Sequence, residues 1–458
     1  MCTKRELIFC VLVAGFALGL GCPNAAAQAQ DNQDSTKAKK SYEKVITYGF
    51  EERIRSENWN NIIDYNETLA DERHQVRYRT KLWMNIPLGS HVDFYAGLND
   101  EFKKQTTPDL KLDPDEVIVE NLYLNFNNIF TPGLSLRVGR QNIMKGDGIL
   151  LFDGNSLDGS RTQYFNAVDL SYAFKKSTFE LIGILDPCRD RFLPRINDKN
   201  KPLTEWDEQA VGYYYTDKNH PKTQFESYYF YKKETHDYRA APNPQFQPDR
   251  HVNTAGGRVV QKLGGAINLT GEFAYQWGHQ HPNTEIRAWG GYGYLRRTFD
   301  HRWTPYLQAG YWAFSGDDPS TPEIEGWDPL FSRWPKWSEL YIYSQILEKG
   351  VAYWTNIGLV QAEAGFAPCK PLGVRMTYYH VNAFYPFPGN PQIFSNGKNR
   401  GDMYQARMDI KVNKNVSGHV LYENQVPGNY YKAGDDGYFV RFEIIYSLSE
   451  KISLAHSK

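Results

Sequence analysis

The residues best suited to chemistry in this chain are cations, and they recur on one face of short alternating segments. From Arg73 to Ile86 (RHQVRYRTKLWMNI), Arg73, Gln75, Arg77, Arg79 and Lys81 share one parity, and Val76, Tyr78, Leu82, Met84 and Ile86 take the other. A helix would scatter those cations around its circumference, so the stretch reads as a strand between two different solvents. By the same parity Arg53, Arg55, Arg137, Arg258, Arg375, Arg407, Lys411 and Arg441 fall on the polar face of their segments. Arg140 is out of phase with Arg137 and reaches that face only if its strand bulges or ends, and Arg161 sits at a loop edge. A guanidinium stays charged and can grip a carboxylate with two hydrogen bonds, so such a row is chemistry for holding or passing carboxylates. Glu51, Asp93, Glu101, Glu272, Asp409, Glu423 and Glu443 offer the other reading, in which the cations pair with acids and brace a polar wall. Arg77, Arg79 and Lys81 have no acid on their own strand face and are the leading candidates for selectivity.

Other constellations carry less. Gly146-Asp147-Gly148 and the glycine-rich stretch 153–159 either fold inward to narrow a pore or form an external loop, and constriction is the reading taken. No GK[ST] follows, so they do not cradle phosphate. Asp113, Asp115 and Glu116, or Asp317 and Asp318, hold oxygen ligands of the kind calcium takes, but solvated acidic loops look the same. His279 and His281 flank Gln280 in a short link and point only to adventitious metal. No cofactor or functional metal is expected. Nothing places a Ser and a His together at a strand rim, so the chain is not read as an enzyme.

These side chains need a scaffold, and composition narrows it. Aromatics make up 15% of the 458 residues while mean hydropathy is −0.61, so rings dispersed among polar residues supply the apolar surface. No segment after the leader approaches the roughly 18 apolar residues of a membrane-spanning helix. The leader itself has Lys4 and Arg5, an apolar run from Leu7 to Leu20 and Ala25-Ala26-Ala27, the plan of a secretory signal over residues 1–27. Cys22 is a candidate lipid acceptor, but Gly19 stands where an apolar residue is expected and Pro23 follows. Removing residues 1–27 leaves a net charge of −2, close to the −1 of the whole chain, which argues against nucleic acid as a partner. Only Cys188 and Cys369 then remain; they fall on opposite ends and are expected to stay unbridged.

Residues 28–44 are polar, lack period and read as a disordered periplasmic lead-in. Alternating segments follow, among them Tyr48, Phe50 and Ile54 against Glu51, Arg53 and Arg55, and Tyr404, Ala406, Met408 and Ile410 against Gln405, Arg407 and Asp409. Short links rich in Gly, Pro, Asn and Asp (Pro87 to His91, Gly264-Gly265, Asn413 to Asn415) alternate with mostly long ones (Asn58 to Asp71, Met144 to Thr162, Ser315 to Gly350). A soluble sandwich or propeller has no reason to keep its short turns at one end, whereas an outer-membrane barrel has short periplasmic turns and long external loops. Backbone groups in hydrocarbon must all be paired, so the sheet must close. The expected fold is therefore all-β: a transmembrane antiparallel up-and-down barrel of about 18 strands over residues 45–448, with an aqueous lumen and a periplasmic tail at 449–458. Stretches 148–152 and 338–347 are either extra strands or ordered loop. Trp83, Tyr123, Trp289, Tyr292, Trp303, Trp312 and Tyr446 are assigned to interfacial girdles.

The stretch LSLRVGRQNIMKGDGILLFDGNSLDGSRTQYFNAV, residues 134–168, resembles the alginate export family of outer-membrane proteins. Gly139-Arg140-Gln141 ends a strand, a glycine-rich loop follows, and an Arg161-centred entry leads into the next strand. Ser315-Gly316-Asp317 and then Trp327-Asp328-Pro329-Leu330-Phe331 are similar to that family's SGD and FDPLF-type pattern in an external loop, and the Arg53 and Arg55 pair fits as well. The resemblance implies an 18-stranded barrel whose arginine-rich lumen passes alginate, an acidic polysaccharide, outward. Partners would then be an anionic polysaccharide or oligosaccharide, outer-membrane lipid and periplasmic export partners. Two features depart from the pattern: the last strand is expected to stop near Leu448 without a terminal aromatic residue, and the lumen carries many acids. A general diffusion porin for small sugars or organic anions stays open as the alternative.

Overall fold

The computed structural model describes residues 44–112, 114–152, 164–200, 203–204, 206–235, 249–281, 283–332, 336–344, 355–387 and 389–454. The signal, the lead-in up to residue 43, Asp113, the 153–159 stretch and Arg161 lie outside them. The strands are β1 (Lys44–Asn60), β2 (Arg73–Pro87), β3 (Val92–Thr107), β4 (Val117–Phe126), β5 (Leu134–Gln141), β6 (Phe165–Ala173), β7 (Ser177–Asp186), β8 (Asp207–His220) and β9 (Thr223–Thr235). They continue with β10 (Arg250–Gly264), β11 (Ile267–Gln280), β12 (Thr284–Thr298), β13 (Tyr306–Phe314), β14 (Ile357–Cys369), β15 (Leu372–Asn382), β16 (Asn399–Lys411), β17 (Val416–Pro427) and β18 (Gly437–Leu454). A single-turn-and-a-half helix, α1 (Glu339–Ser344), sits in the link after β13.

All 18 strands form one sheet, each antiparallel to its sequence neighbours, and β1 pairs with both β2 and β18, so the sheet closes. The closing register runs from Lys44 opposite Leu454 to Asn60 opposite Tyr438. β18 thus continues through Leu454 instead of stopping near Leu448, because Lys44 to Phe50 offer it a paired edge. Links at the end carrying both strand termini are short, as between Gly264 and Ile267 or Pro87 and Val92, while those at the opposite end are mostly long.

Alternation settles the two faces. Ile54, Leu82, Met84, Leu98, Phe273, Met376, Phe442 and Ile444 are exposed and form the outward apolar surface, whereas Arg53, Arg55, Arg77, Arg79 and Lys81 are buried on the inner face. One polar row crosses the outward surface: Glu52, Thr80 and Asp100 lie opposite one another on β1, β2 and β3, with Thr80 Oγ1 donating to Glu52 at 2.6 Å.

Two expectations change. The lumen is not simply water-filled: Ile149, Leu150, Leu151, Trp327, Leu330, Phe331, Trp337 and Leu340 are buried in one cluster with inward residues of the wall. Links 142–152 and 315–344 therefore fold into the barrel, where burial of their apolar side chains offsets the cost of ordering them. The stretches 148–152 and 339–344 are accordingly loop and helix within the bore rather than extra strands. The second change concerns the girdles. Tyr292 and Trp312 stack inside, 4.2 Å between centroids, and Tyr292 donates to Glu272 at 2.8 Å. Trp83 shares the parity of Lys81 and Tyr123 lies opposite Gly139 and Tyr95, so both also belong to the inner wall. Tyr446, by contrast, is exposed on the outward face.

Candidate functional site

The inner wall where β18, β1, β2, β3 and β4 meet carries Arg53, Arg55, Arg77, Arg79, Lys81 and Arg441, and their partners come from neighbouring strands. Arg53 bonds Glu101 at 3.1 Å, and Arg77 bonds Glu101 at 2.8 Å and Glu57 at 3.3 Å. Arg55 pairs with Glu443, Arg79 with Glu51 at 2.8 Å, and Arg441 with Glu57 at 2.7 Å. Lys81 reaches Glu120 at 2.7 Å. That last contact depends on an irregularity: between Gly97 and Leu98 the β3–β4 register skips Glu120, and the bulge aims its carboxylate at Lys81. Arg77, Arg79 and Lys81 have no acid on their own strand, but acids on both adjacent strands interleave with them. The outcome is an alternating ionic lattice, strongest where it is least hydrated.

The inward links are fastened to the opposite wall. Asp147, at the tip of 142–152, accepts from Arg258 at 2.8 Å and from the Tyr294 hydroxyl at 3.1 Å. Arg258 also reaches Glu226 at 3.0 Å, so the predicted lumen arginine here anchors a loop. In the second link Trp327 is fully buried and Asp328 meets Arg250 at 2.5 Å. Gln276 reads the Asp328 peptide from both sides, accepting from its N–H at 2.9 Å and donating to its carbonyl at 2.5 Å. Lys232 donates to the Leu330 carbonyl at 2.5 Å, and the Ser332 hydroxyl to the Gly148 carbonyl, which joins the two links. Further on, Glu423 of β17 accepts from Leu340 N at 2.7 Å and Ser338 Oγ at 2.8 Å, satisfying the N–H groups that open α1. Arg441 holds Glu339 of that helix at 2.8 Å. The Trp327–Phe331 stretch, expected in an external loop, is thus inside the barrel.

The model of the alginate export family matches residues 44–442, nearly the whole described barrel. The chain belongs to the alginate export family. Solved structures agree on architecture. Pseudomonas aeruginosa OccK3 (OpdO) superposes with a TM-score of 0.54 at 12% identity, over 88% of this chain and 96% of that one. The outer membrane protein opdK from Pseudomonas aeruginosa gives 0.55 at 9% identity over 88% and 99%, and Pseudomonas aeruginosa OccD3 (OpdP) 0.55 at 10% over 88% and 91%. At such identities the likeness is one of fold. A search of curated proteins returned no significant match. The chain is a family member whose 18-stranded barrel has the fold of these outer-membrane proteins.

Within this alginate export barrel the remaining predicted residues divide by position. Arg140 is 2% exposed; it grips Asp190 with two bonds of 2.8 and 2.7 Å and stacks on Tyr164, 3.7 Å from the ring centroid. Gly139, at φ +128°, breaks the strand geometry just before it, so Arg140 braces the 187–206 link instead of continuing the phase of Arg137. Burial raises the Asp190 carboxyl, but the Arg140 guanidinium outweighs this and holds it below the usual range. Arg407 bonds Asp409, two residues along its own strand, at 2.8 Å. Arg137, Arg375 and Lys411 make no ion pair among the described residues, and all three lie toward the strand ends that carry the chain termini. Cys188 lies in the link after β7, where its Sγ donates to the Thr204 carbonyl at 2.8 Å, and Cys369 ends β14 at the opposite end of the barrel. Among the described residues no group of three or more His, Cys, Asp or Glu converges as metal ligands.

Open spaces in the lumen border several of the predicted cations. One of about 360 Å³ is bordered by Glu51, Arg53, Arg79, Lys81, Glu120, Arg407 and His419. Another, about 260 Å³, is bordered by Asn125, Arg137, Lys145, Asp169 and Glu180. Parity located the cations, but the fasteners Lys232, Arg250, Gln276 and Glu423 act on residues far away in sequence, and Lys232, Arg250 and Gln276 were not among the predicted site residues. Their signal was weak: polar side chains at inward parity near the outer ends of β9, β10 and β11.

Proposed function

We propose that this outer-membrane barrel passes an acidic saccharide, as polymer or oligomer, along the wall formed by β1–β5 and β15–β18. The observation that carries the reading is the distribution of unpaired charge. The cations on the outer half of that wall are matched by Glu51, Glu57, Glu101 and Glu443, whereas Arg137, Arg375 and Lys411 toward the periplasmic end have no ion pair among the described residues. A carboxylate-bearing chain entering there meets fixed positive charge, two of the three groups being weakly hydrated guanidinium, that is not held in a close ion pair. Membership of the alginate export family supports the same substrate class.

A second reading has its own observation. The inward links occupy the outer half of the bore, and the cavity beside the paired cations measures about 360 Å³, a size that suits a small sugar or organic anion. Reconstitution into planar bilayers separates the two. Under the first reading, polyuronate reduces the ion current while neutral dextran of equal length does not, and an Arg137→Glu/Arg375→Glu/Lys411→Glu variant loses both the block and the anion preference. Block by small uronates with indifference to the polymer selects the second reading, and equal indifference to all of them refutes both.

A further inference from the structure

On the inner face of β2, β3 and β4, Trp83, Tyr95 and Tyr123 form a row toward the periplasmic end. Their centroids are 6.0 and 5.0 Å apart and their planes differ by only 10° and 6°. Arg137 on β5 extends the row, its guanidinium carbon 4.9 Å from the Tyr123 ring centroid. Strand register makes the row continuous: Tyr95 stands directly opposite Tyr123, and the two end contacts are diagonal ones across β2–β3 and β4–β5.

The rings have room because the wall beside them is bare. Trp83 faces Gly49 on β1 and Gly97 on β3, and Tyr123 faces Gly139 on β5. A Cβ at Gly49 would come within 2.3 Å of the indole, so the indole lies over the β1 backbone in space that any other residue would occupy. These rings are half-buried, in contrast to the fully buried aromatic residues packed against the inward links. Trp83 and Tyr95 border the larger cavity alongside Lys81 and Glu120, and Arg137 borders the smaller one. The row therefore connects two polar cavities through a strip of ring surface.

A row of near-parallel, half-exposed rings presents flat apolar surface that a ligand with an apolar face can cover. A pyranose matches: its C–H face is apolar, and its edge carries hydroxyls and, in a uronate, a carboxylate. We infer that Trp83, Tyr95 and Tyr123 are a saccharide-stacking track, with Arg137 receiving the carboxylate at its end. The track rests on the saccharide reading above and adds to it a residue-level binding strip distinct from the paired cations.

The test is current block in planar bilayers by a short oligouronate, with an acyclic tricarboxylate as the charge-only control. Folding of each variant is checked by the heat-dependent shift in gel mobility. Trp83→Leu and Tyr123→Leu are expected to weaken oligouronate block about tenfold and leave tricarboxylate block unchanged, while Trp83→Phe and Tyr123→Phe retain most of it. Oligouronate block unchanged in the Leu variants overturns the track while leaving the saccharide reading standing. Equal weakening for both probes also overturns it, since the rings would then act only through wall geometry. Wild-type protein blocked by the tricarboxylate but by no saccharide overturns both.

Discussion

Asp328 is the point at which the inward link can be loosened with least damage to the wall. Its carboxylate meets Arg250 at 2.5 Å and accepts from Leu330 N at 2.8 Å, within the tight turn that carries Trp327 and Phe331 into the bore. Removing one member of a buried pair costs about 3–5 kcal/mol, mostly from the charge left behind. Glu234 stays bonded to Arg250 after Asp328→Ala, so the low end, about 3 kcal/mol, applies. Because about 1.4 kcal/mol is a factor of ten, arrangements with the link displaced gain on the order of a hundredfold in population. Single-channel recording should then show more frequent and longer visits to a higher conductance level. Asp328→Asn, whose single amide oxygen keeps one of the two acceptors, should change the record less. The double variant Arg250→Ala/Asp328→Ala should cost less than the sum of the singles, as expected for a contacting pair. A folded Asp328→Ala barrel whose conductance and noise match wild type would refute the placement of residues 327–331 in the ion path.

Other outcomes follow from particular contacts. Glu101→Gln leaves Arg53 and Arg77 sharing a neutral partner and should destabilise the barrel by about 3 kcal/mol, read as a lower unfolding midpoint in urea. On the outward face, Asp100→Leu removes a carboxylate from hydrocarbon and should stabilise the barrel by about 1 kcal/mol, read as a higher midpoint, whereas a lower midpoint would mean the row with Glu52 and Thr80 serves a contact. The Arg140–Asp190 pair predicts a pH response. A carboxyl held below its ordinary range stabilises the fold above its unfolded pKa, and this is lost as pH falls through the folded value. Cleavage of the 187–206 link by pepsin near Phe192 should therefore appear only below the usual carboxylate range, and Arg140→Ala should move its onset to higher pH.

Much of the architecture was legible because the signals are local. Period-two alternation needs only neighbouring residues, so the parity of Arg77, Arg79 and Lys81 against Leu82 and Met84 already assigned water and lipid faces. The alternation of short and long links assigned the two ends, and hydrocarbon's intolerance of free backbone groups required closure. Trp83 shows the limit of residue-type preference: a tryptophan near a strand end suits a girdle, but its parity places it inside, beside Lys81. The strand count also came from links alone, and the last strand ran on to Leu454 because its partner did.

Sequence alone determined the strands, their two faces and the supply of inward cations, since each follows from backbone geometry within one segment. Which acid meets which cation was decided by closure: Arg55 and Glu443 lie at opposite ends of the chain and become neighbours only when β1 joins β18. The destination of the long links was likewise a tertiary matter. A stretch such as Trp327–Phe331 is apolar enough to need burial, but only the assembled bore, with Arg250, Gln276 and Lys232 presented from three adjacent strands, provides both the cavity and the partners for its backbone.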